Sequence, residues 1–393
     1  MKLELKNTVA KYDWLLLINV YAICVISVLI VGVATSTTTN TSIITKYSML
    51  QLLWVGGVGP IAMTVVSIID YRFYLEKYRL FYWGIVLVLF LLLVLGTATR
   101  GTVGWITLIG ERTIQPSELA KICIIITLAK IVSVKMGNGT GINRFTDLIP
   151  IFGYFAIPFV LIMLQPDWGT AFVFVCILAG MLFVAKTSWK IILTILGSGI
   201  AALPIAWMFM ASWQKSRIIN FFNPLSDTTG SGLQVANAKL VIGSGGLSGQ
   251  GLFADGSLTK LGFLPDCHTD FIFSVTAETF GFIGAMILIA LYLALIIRLM
   301  YLATKAPDKE GCLIIVGVAA MFMFHIFENI GMNIGLMPVT GIPLPFMSYG
   351  GSSMLVNFIA LGLVQNVTMR RGESIPINEF DIRPPSIFKK HLR

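Results

Sequence analysis

Apolar residues recur along the chain in runs of about twenty, separated by short polar connections. A run of that length spans the hydrocarbon core of a bilayer when it is coiled as an α-helix rising 1.5 Å per residue. Ten such runs can be read, near 14–35, 48–69, 80–98, 117–134, 148–164, 169–185, 190–210, 277–300, 311–334 and 349–369. They predict an all-α polytopic membrane protein of about ten transmembrane helices. One connection differs from the rest. Residues 211–270, between spans seven and eight, form a long polar segment. It holds Arg217, Asp227, Lys239, the glycine cluster IGSGGLSGQG (Ile242 to Gly251) and FLPDCHTD (Phe263 to Asp270). Membrane proteins that keep so long a polar connection generally use it.

Composition strengthens the membrane reading. Of 393 residues 56% are hydrophobic and 12% charged, and the mean hydropathy is +0.85, which excludes an ordinary soluble globular protein. The pattern predicts one integral membrane domain over 1–393, with a short tail at 1–13 and a basic tail at 370–393. The first run, from Trp14, has no small-residue cleavage site after it and reads as a retained span. The net charge of +9 is a matter of placement. If the N-terminus is cytoplasmic, 19 of the 28 Lys and Arg residues fall in inner segments. Both termini are then cytoplasmic, and 211–270 faces outward. The C-terminal tail reads as a topology anchor near anionic lipid, with a docking site for a cytoplasmic partner as the sharper alternative. The five cysteines show no CxxC or Cys/His spacing, so neither a disulfide nor a structural metal is expected.

Ionisable side chains at membrane depth are costly, which makes them functional candidates. Glu118 and Lys121 in QPSELAK are three apart and share a helix face, where they either fix packing or serve a site. Asp270 and Glu278 flank the start of an apolar run, and Glu328 lies in HIFENIG. At the junction of a polar segment and a helix, Asp270 can reach a water-exposed hydroxyl and act as a general base. Its bland alternative is a helix cap, a role that Thr269 would also fill. His268 has no partner His or Cys for a metal set, and its expected role is to orient Asp270 or a substrate. The glycine cluster lacks GK[ST] and any βαβ context, so a nucleotide loop is rejected and glycine turns are expected. A weaker alternative lets its backbone N–H groups approach a lipid-linked diphosphate, with Arg217 and Lys239 supplying positive charge. Trp105 is either an interfacial belt residue or a sugar-stacking platform. GIPLPFMSYGGSS (Gly341 to Ser353), which includes Ser348, is non-helical backbone entering a span, as is tolerated where it lines a cavity.

These motifs, in this order, resemble the SEDS family (shape, elongation, division and sporulation). The resemblance runs from about Gly96 to Gln365 through GWITLIG with QPSELAK, QPDWGTA, NPLSD with the glycine cluster, FLPDCHTDFIF, and NIGLMPVTGIPLPFMSYGGSS. QPDWGTA and GIPLPFMSYGG resemble the RodA-type elongation branch more than the FtsW-type division branch, with a sporulation paralogue as a further alternative. The resemblance implies a polymerase that joins lipid II disaccharides into glycan strands at the outer face of the cytoplasmic membrane. It implies that Asp270, in the HTDF motif, is the essential aspartate, with Trp105, Glu118, Lys121, Arg217, Lys239, His268, Thr269 and Ser348 around the substrate. Family members often carry Arg before the tryptophan; Gly104 stands there, and Arg100 or Arg112 would have to compensate.

The implied chemistry has Asp270 deprotonating the 4-hydroxyl of an acceptor sugar, which displaces undecaprenyl diphosphate with inversion. Arg217 and Lys239 would stabilise the leaving diphosphate, and a divalent cation (Mg or Mn) is a further candidate for that charge. Lys121 would hold a lipid carrier. The implied partner is a single-span class B penicillin-binding protein that crosslinks peptides. The rival readings are a lipid II flippase and a non-catalytic scaffold.

Overall fold

A computed structural model describes residues 11–37, 42–95, 104–107, 113–137, 141–210, 212–222 and 230–371. Apart from one pair of two-residue strands, the described elements are helices. They run α1 Trp14–Thr35, α2 Lys46–Ile68, α3 Tyr71–Glu76, α4 Tyr78–Leu95, α5 Pro116–Lys135, α6 Phe145–Leu164, α7 Trp168–Val184 and α8 Trp189–Phe209. After these come α9 Ser212–Phe222, α10 Ser231–Ser244, α11 Ile272–Thr304, α12 Lys309–Ile334 and α13 Gly351–Met369. β1 (Ile106–Thr107) and β2 (Thr113–Ile114) pair antiparallel just before α5. Within the described residues each expected apolar run falls on one of these helices, with 96–98 of the third run outside the described residues, and six helices, α1, α2, α6, α11, α12 and α13, are long and apolar enough to cross a membrane. The chain is a multi-pass membrane protein.

Local chemistry sets the ends. Asp13 caps α1 by accepting from Leu16 N–H at 2.9 Å, and Asp308 caps α12 by accepting from Gly311 N–H at 2.7 Å. Gly335 closes α12 with φ +75. α2 makes one π-helical turn over Trp54–Val58, in which Gly59 N–H reaches back to Trp54 O, immediately before Pro60, which has no N–H to donate.

Helices α12 and α13 form the centre of the bundle; 72% and 78% of their most apolar windows are buried, against 22% for α2 at the periphery. α12 packs on α5, α7 and α11, and α13 packs on α2. Charges gather at one end. Arg298 donates to Asp13 at 2.6 and 3.0 Å, Arg370 Nε lies 3.1 Å from Asp70, and Lys130 lies 2.9 Å from Glu310. The opposite end carries α9, α10, the first turns of α5, α7 and α13, and Asp270.

The stretch 211–270 is more structured than a loop. It contains α9 and α10, and its glycine cluster is clamped to α11. At Gly281 (φ +69, ψ −168) α11 leaves helical geometry. The carbonyls of Glu278 and Thr279 then accept from Gln250 N–H (2.9 Å) and Gly251 N–H (3.0 Å), while Phe282 and Ile283 N–H donate to the carbonyls of Gly246 (2.9 Å) and Leu247 (3.2 Å). The glycines permit that approach. A Cβ on Gly249 would stand 2.2 Å from Thr279 O, and one on Gly281 would stand 2.3 Å from Gly249 N.

Candidate active site

The polar end of α11 is assembled by two asparagines on α12. Asn329 and Asn333 are four apart and lie on one face. Their amides donate to the backbone carbonyl of Asp270 at 2.9 and 3.1 Å. Asn329 also donates to Ile342 O at 2.8 Å, and Asn333 to Asn329 O at 2.8 Å. The Asn333 side-chain oxygen accepts from Ser274 N–H at 3.1 Å and from Ser274 Oγ at 2.6 Å. It thereby serves the first turn of α11 from a neighbouring helix.

The N-cap position of α11 is Phe271, with no side-chain cap hydrogen bond, and the Asn333 oxygen takes the N–H of Ser274 in the first turn. The Asp270 carboxylate faces Gly341, where an added Cβ would lie 3.5 Å from Oδ2. Arg217, from α9, donates to Val339 O at 3.1 Å and feels the negative charge of both Asp270 and Glu328. Burial pulls the Arg217 guanidinium below its ordinary value, and those two carboxylates oppose the shift. Glu328, on α12, accepts from the Thr340 hydroxyl.

The other expected residues take distinct places. Ser348 is buried; its hydroxyl donates to Thr269 O at 2.6 Å and accepts from Leu344 N–H at 2.8 Å, which fixes the chain just before Asp270. Thr269 donates through its hydroxyl to Asp266 O at 3.1 Å. His268 accepts from Tyr349 N–H through its carbonyl, and its ring stands 5.3 Å from that of Tyr47 and 5.8 Å from that of Tyr349. Lys239 is exposed and lies over the Gly335 cap of α12, where a cation meets the negative end of the helix. Trp105 is half-buried immediately before β1, and Gly104 beside it faces the side chains of Gln115 and Gln165. Arg100, Arg112 and Asp227 lie outside the described residues.

Glu118 and Lys121 form a buried pair at 2.7 Å. Lys121 Nζ also lies 3.0 Å from His325 Nε2, and His325 Nδ1 lies 2.7 Å from Met321 O. With its Nδ1–H donated to that carbonyl, Nε2 accepts from the ammonium. His325 is one turn below Asn329, about 6 Å along α12. The side chain of Lys121 is 2% exposed, so the cation is enclosed. Glu278 is structural too. It accepts from Ser244 Oγ (3.3 Å), Leu258 N–H (2.6 Å), and both the N–H and the hydroxyl of Thr259. The Gln250 and Gly251 N–H groups are engaged in the clamp on α11 and Gly249 N–H donates to Gly245 O at 2.8 Å, so these donors are taken and do not approach a diphosphate.

Motifs distant in sequence converge here. Asp167 of QPDWGTA caps α7 by accepting from Thr170 N–H at 3.0 Å and also accepts from Gln115 (2.9 Å) and Ser117 (3.3 Å) of QPSELAK. Gln115 N–H donates to Ser352 in the SYGGSS motif at 3.3 Å. Asn329, Asn333, His325, Tyr47 and Asp167 are absent from the residues singled out by sequence. The NIG spacing of Asn329 and Asn333, two amides on one face of an apolar helix, is the signal that would have found them.

Comparison with known proteins gives the same grouping. The family described as "Cell cycle protein", covering FtsW, RodA and SpoVE, matches residues 11–373. The chain belongs to this family. It is 37% identical over 331 residues to stage V sporulation protein E of Bacillus subtilis (82% of this chain, 87% of the relative). It is 35% identical over 315 residues to the peptidoglycan glycosyltransferase MrdB of Escherichia coli K12 (80% and 83%). It is 33% identical over 374 residues to the probable peptidoglycan glycosyltransferase FtsW of Geobacter metallireducens (94% and 97%). These identities are close, so similarity alone does not separate the branches of the family. Its fold matches a chain of a peptidoglycan synthase complex that coordinates polymerization and crosslinking, with TM-score 0.78 and 30% identity over 92% of this chain and 99% of that one. It also matches the rod shape determining protein RodA of Thermus thermophilus, with TM-score 0.68 and 30% identity over 92% and 98%.

Proposed function

We propose that this protein is a peptidoglycan glycosyltransferase that polymerises lipid II, with Asp270 as the general base. One observation carries the assignment of the base. The Asp270 carboxylate stands at the polar end of the bundle near the Arg217 charge, with its backbone carbonyl held by two buried asparagines. Asp270 takes the proton of the acceptor 4-hydroxyl as that oxygen bonds to the anomeric carbon of the growing strand. The bond from that carbon to the undecaprenyl diphosphate breaks, with inversion, and Arg217 stabilises the charge on the departing diphosphate. Among the described residues no group of three or more His, Cys, Asp or Glu side chains is placed to hold a metal, and the mechanism routes no step through Mg or Mn. Glu118, Lys121 and His325 brace α5 against α12, and we assign them that role in preference to contact with a lipid carrier. Lys239 supports the end of α12, and Trp105, His268, Thr269 and Ser348 shape the rim.

The rest of the reading concerns the protein's setting. The segregation of Lys and Arg supports cytoplasmic termini, with the Asp270 end outside, where lipid II is available and nucleotides are scarce. QPDWGTA and GIPLPFMSYGG support the RodA-type elongation role, with a class B penicillin-binding protein as the crosslinking partner. Purified lipid II tests the activity. The full-length protein, with and without that partner, is expected to yield glycan strands on a gel, and a folded Asp270→Asn variant to lose at least about 100-fold in rate. Wild-type activity in Asp270→Asn refutes the base, and failure to form glycan in every arm refutes polymerisation.

A further inference from the structure

The chain between α12 and α13 is not helical over 341–350, so its carbonyls need partners from elsewhere. Three membrane helices supply them. Tyr292 of α11 donates to Pro345 O at 2.7 Å, Ser27 of α1 donates to Met347 O at 2.6 Å, and Gln51 of α2 donates to Ser27 Oγ at 2.8 Å and to Ser348 O at 3.4 Å. The same turn grips the residues just before Asp270. Ser348 Oγ donates to Thr269 O at 2.6 Å, and Tyr349 N–H donates to His268 O at 2.9 Å. Side chains of α1 and α2 are thereby joined, through 347–349, to the chain that carries Asp270. α2 meets this turn with one face: Tyr47, four residues before Gln51, has its ring 5.1 Å from that of Tyr349 and 5.3 Å from that of His268.

Gln51 is a costly side chain for that position. It is fully buried, as is Ser27. The Ser27 hydrogen is committed to Met347 O, so Ser27 accepts from the amide, which turns the Gln51 nitrogen toward the turn and its oxygen away. That oxygen, Oε1, is buried and has no hydrogen-bond partner among the described residues. A buried amide oxygen left so is unfavourable, and a methionine would fill similar space without it. Polar side chains at membrane depth are functional candidates for this reason. Met347 O is satisfied by Ser27 alone. What the amide adds is orientation, because it fixes the Ser27 hydroxyl and holds Ser348 O.

We propose that Gln51 is a positioning residue for strand synthesis: through Ser27 and the 347–349 turn it holds His268, Thr269 and Asp270 in the orientation that catalysis uses. The inference rests on Asp270 being the base. Gln51 touches the support of the base and not the substrate, so its loss lowers the turnover of bound lipid II and leaves binding alone.

Full-length wild type, Gln51→Met, Ser27→Ala, Thr127→Val and Asp270→Asn are compared for kcat and KM with purified lipid II, and for thermal unfolding in detergent. Thr127 is the control: its hydroxyl is equally buried and donates to Cys123 O at 2.8 Å, so its bond stays within α5. Gln51→Met and Ser27→Ala are each expected to lower kcat about 5-fold, the equivalent of one net hydrogen bond, with KM unchanged. Thr127→Val keeps the wild-type kcat. Gln51→Met unfolds near the wild-type temperature, because the unsatisfied oxygen leaves together with the amide's bonds. A role confined to packing would instead lower the unfolding temperature and leave kcat of the folded protein where it is. Wild-type kcat in Gln51→Met and Ser27→Ala, a loss that appears in KM, a Gln51→Met that does not fold, or an equal loss in Thr127→Val overturns the proposal. Inactive Asp270→Asn beside an unaffected Gln51→Met overturns this inference alone, whereas an active, folded Asp270→Asn removes the base reading and this inference with it.

Discussion

Asn333→Ala tests whether the grip on the Asp270 backbone sets the rate of strand synthesis. Asn333 is fully buried, and its side chain makes two sets of bonds. The amide holds Asp270 O and Asn329 O, and the oxygen accepts from Ser274 N–H and Ser274 Oγ. A net value of about 1 kcal/mol per neutral hydrogen bond puts the one bond from Asn333 to Asp270 at about 1 kcal/mol. If that free energy appears as lost positioning of the base, at 1.36 kcal/mol per decade, the rate falls about 5-fold. Ser274→Ala is the control. It removes only the bond from Ser274 Oγ, costs about 1 kcal/mol of stability, and leaves Asp270 held by both asparagines. The assay pairs initial rates of lipid II polymerisation with thermal unfolding in detergent. A folded Asn333→Ala that polymerises at the wild-type rate would refute the reasoning. So would a Ser274→Ala that loses as much rate as Asn333→Ala.

Two further substitutions probe the supports of the site. Breaking the buried ion pair with Lys121→Met strands the Glu118 carboxylate and is expected to cost about 3–5 kcal/mol, whereas Glu118→Leu with Lys121→Met together costs less than the single change; thermal unfolding of both variants checks the order. Gly249→Ala places a Cβ 2.2 Å from Thr279 O at a residue with φ +81, where an L side chain alone costs about 1–2 kcal/mol. It should release the glycine clamp from α11, and limited proteolysis should then cut near 244–262 faster than in wild type, while an unchanged cleavage rate would count against the clamp.

Much of this protein was legible in its sequence, for reasons that can be stated. Apolar runs of about twenty residues announce helices because a lipid environment leaves the backbone few other ways to satisfy its hydrogen bonds, and within the described residues each expected run falls on a helix. The i, i+3 spacing of Glu118 and Lys121 announced a pair because neighbouring turns of a helix stack side chains, and the pair forms at 2.7 Å. The ordered motifs also pointed to the family that the comparisons give. What stayed hidden is what depends on contacts between helices. Sequence left Asp270 as either base or cap, and only the packing of α12 on α11 shows Asn333 serving the first turn of that helix. The glycine cluster reads as a flexible turn until Gly281 breaks α11 opposite it, and the exchange of four backbone hydrogen bonds becomes visible. The long polar stretch was recognisable by its composition, which is a local property. That Arg217 from one end of it, Asp270 from the other and Glu328 from α12 come to share one electrostatic neighbourhood was decided by tertiary structure, because no spacing along the chain encodes a meeting of three separate elements.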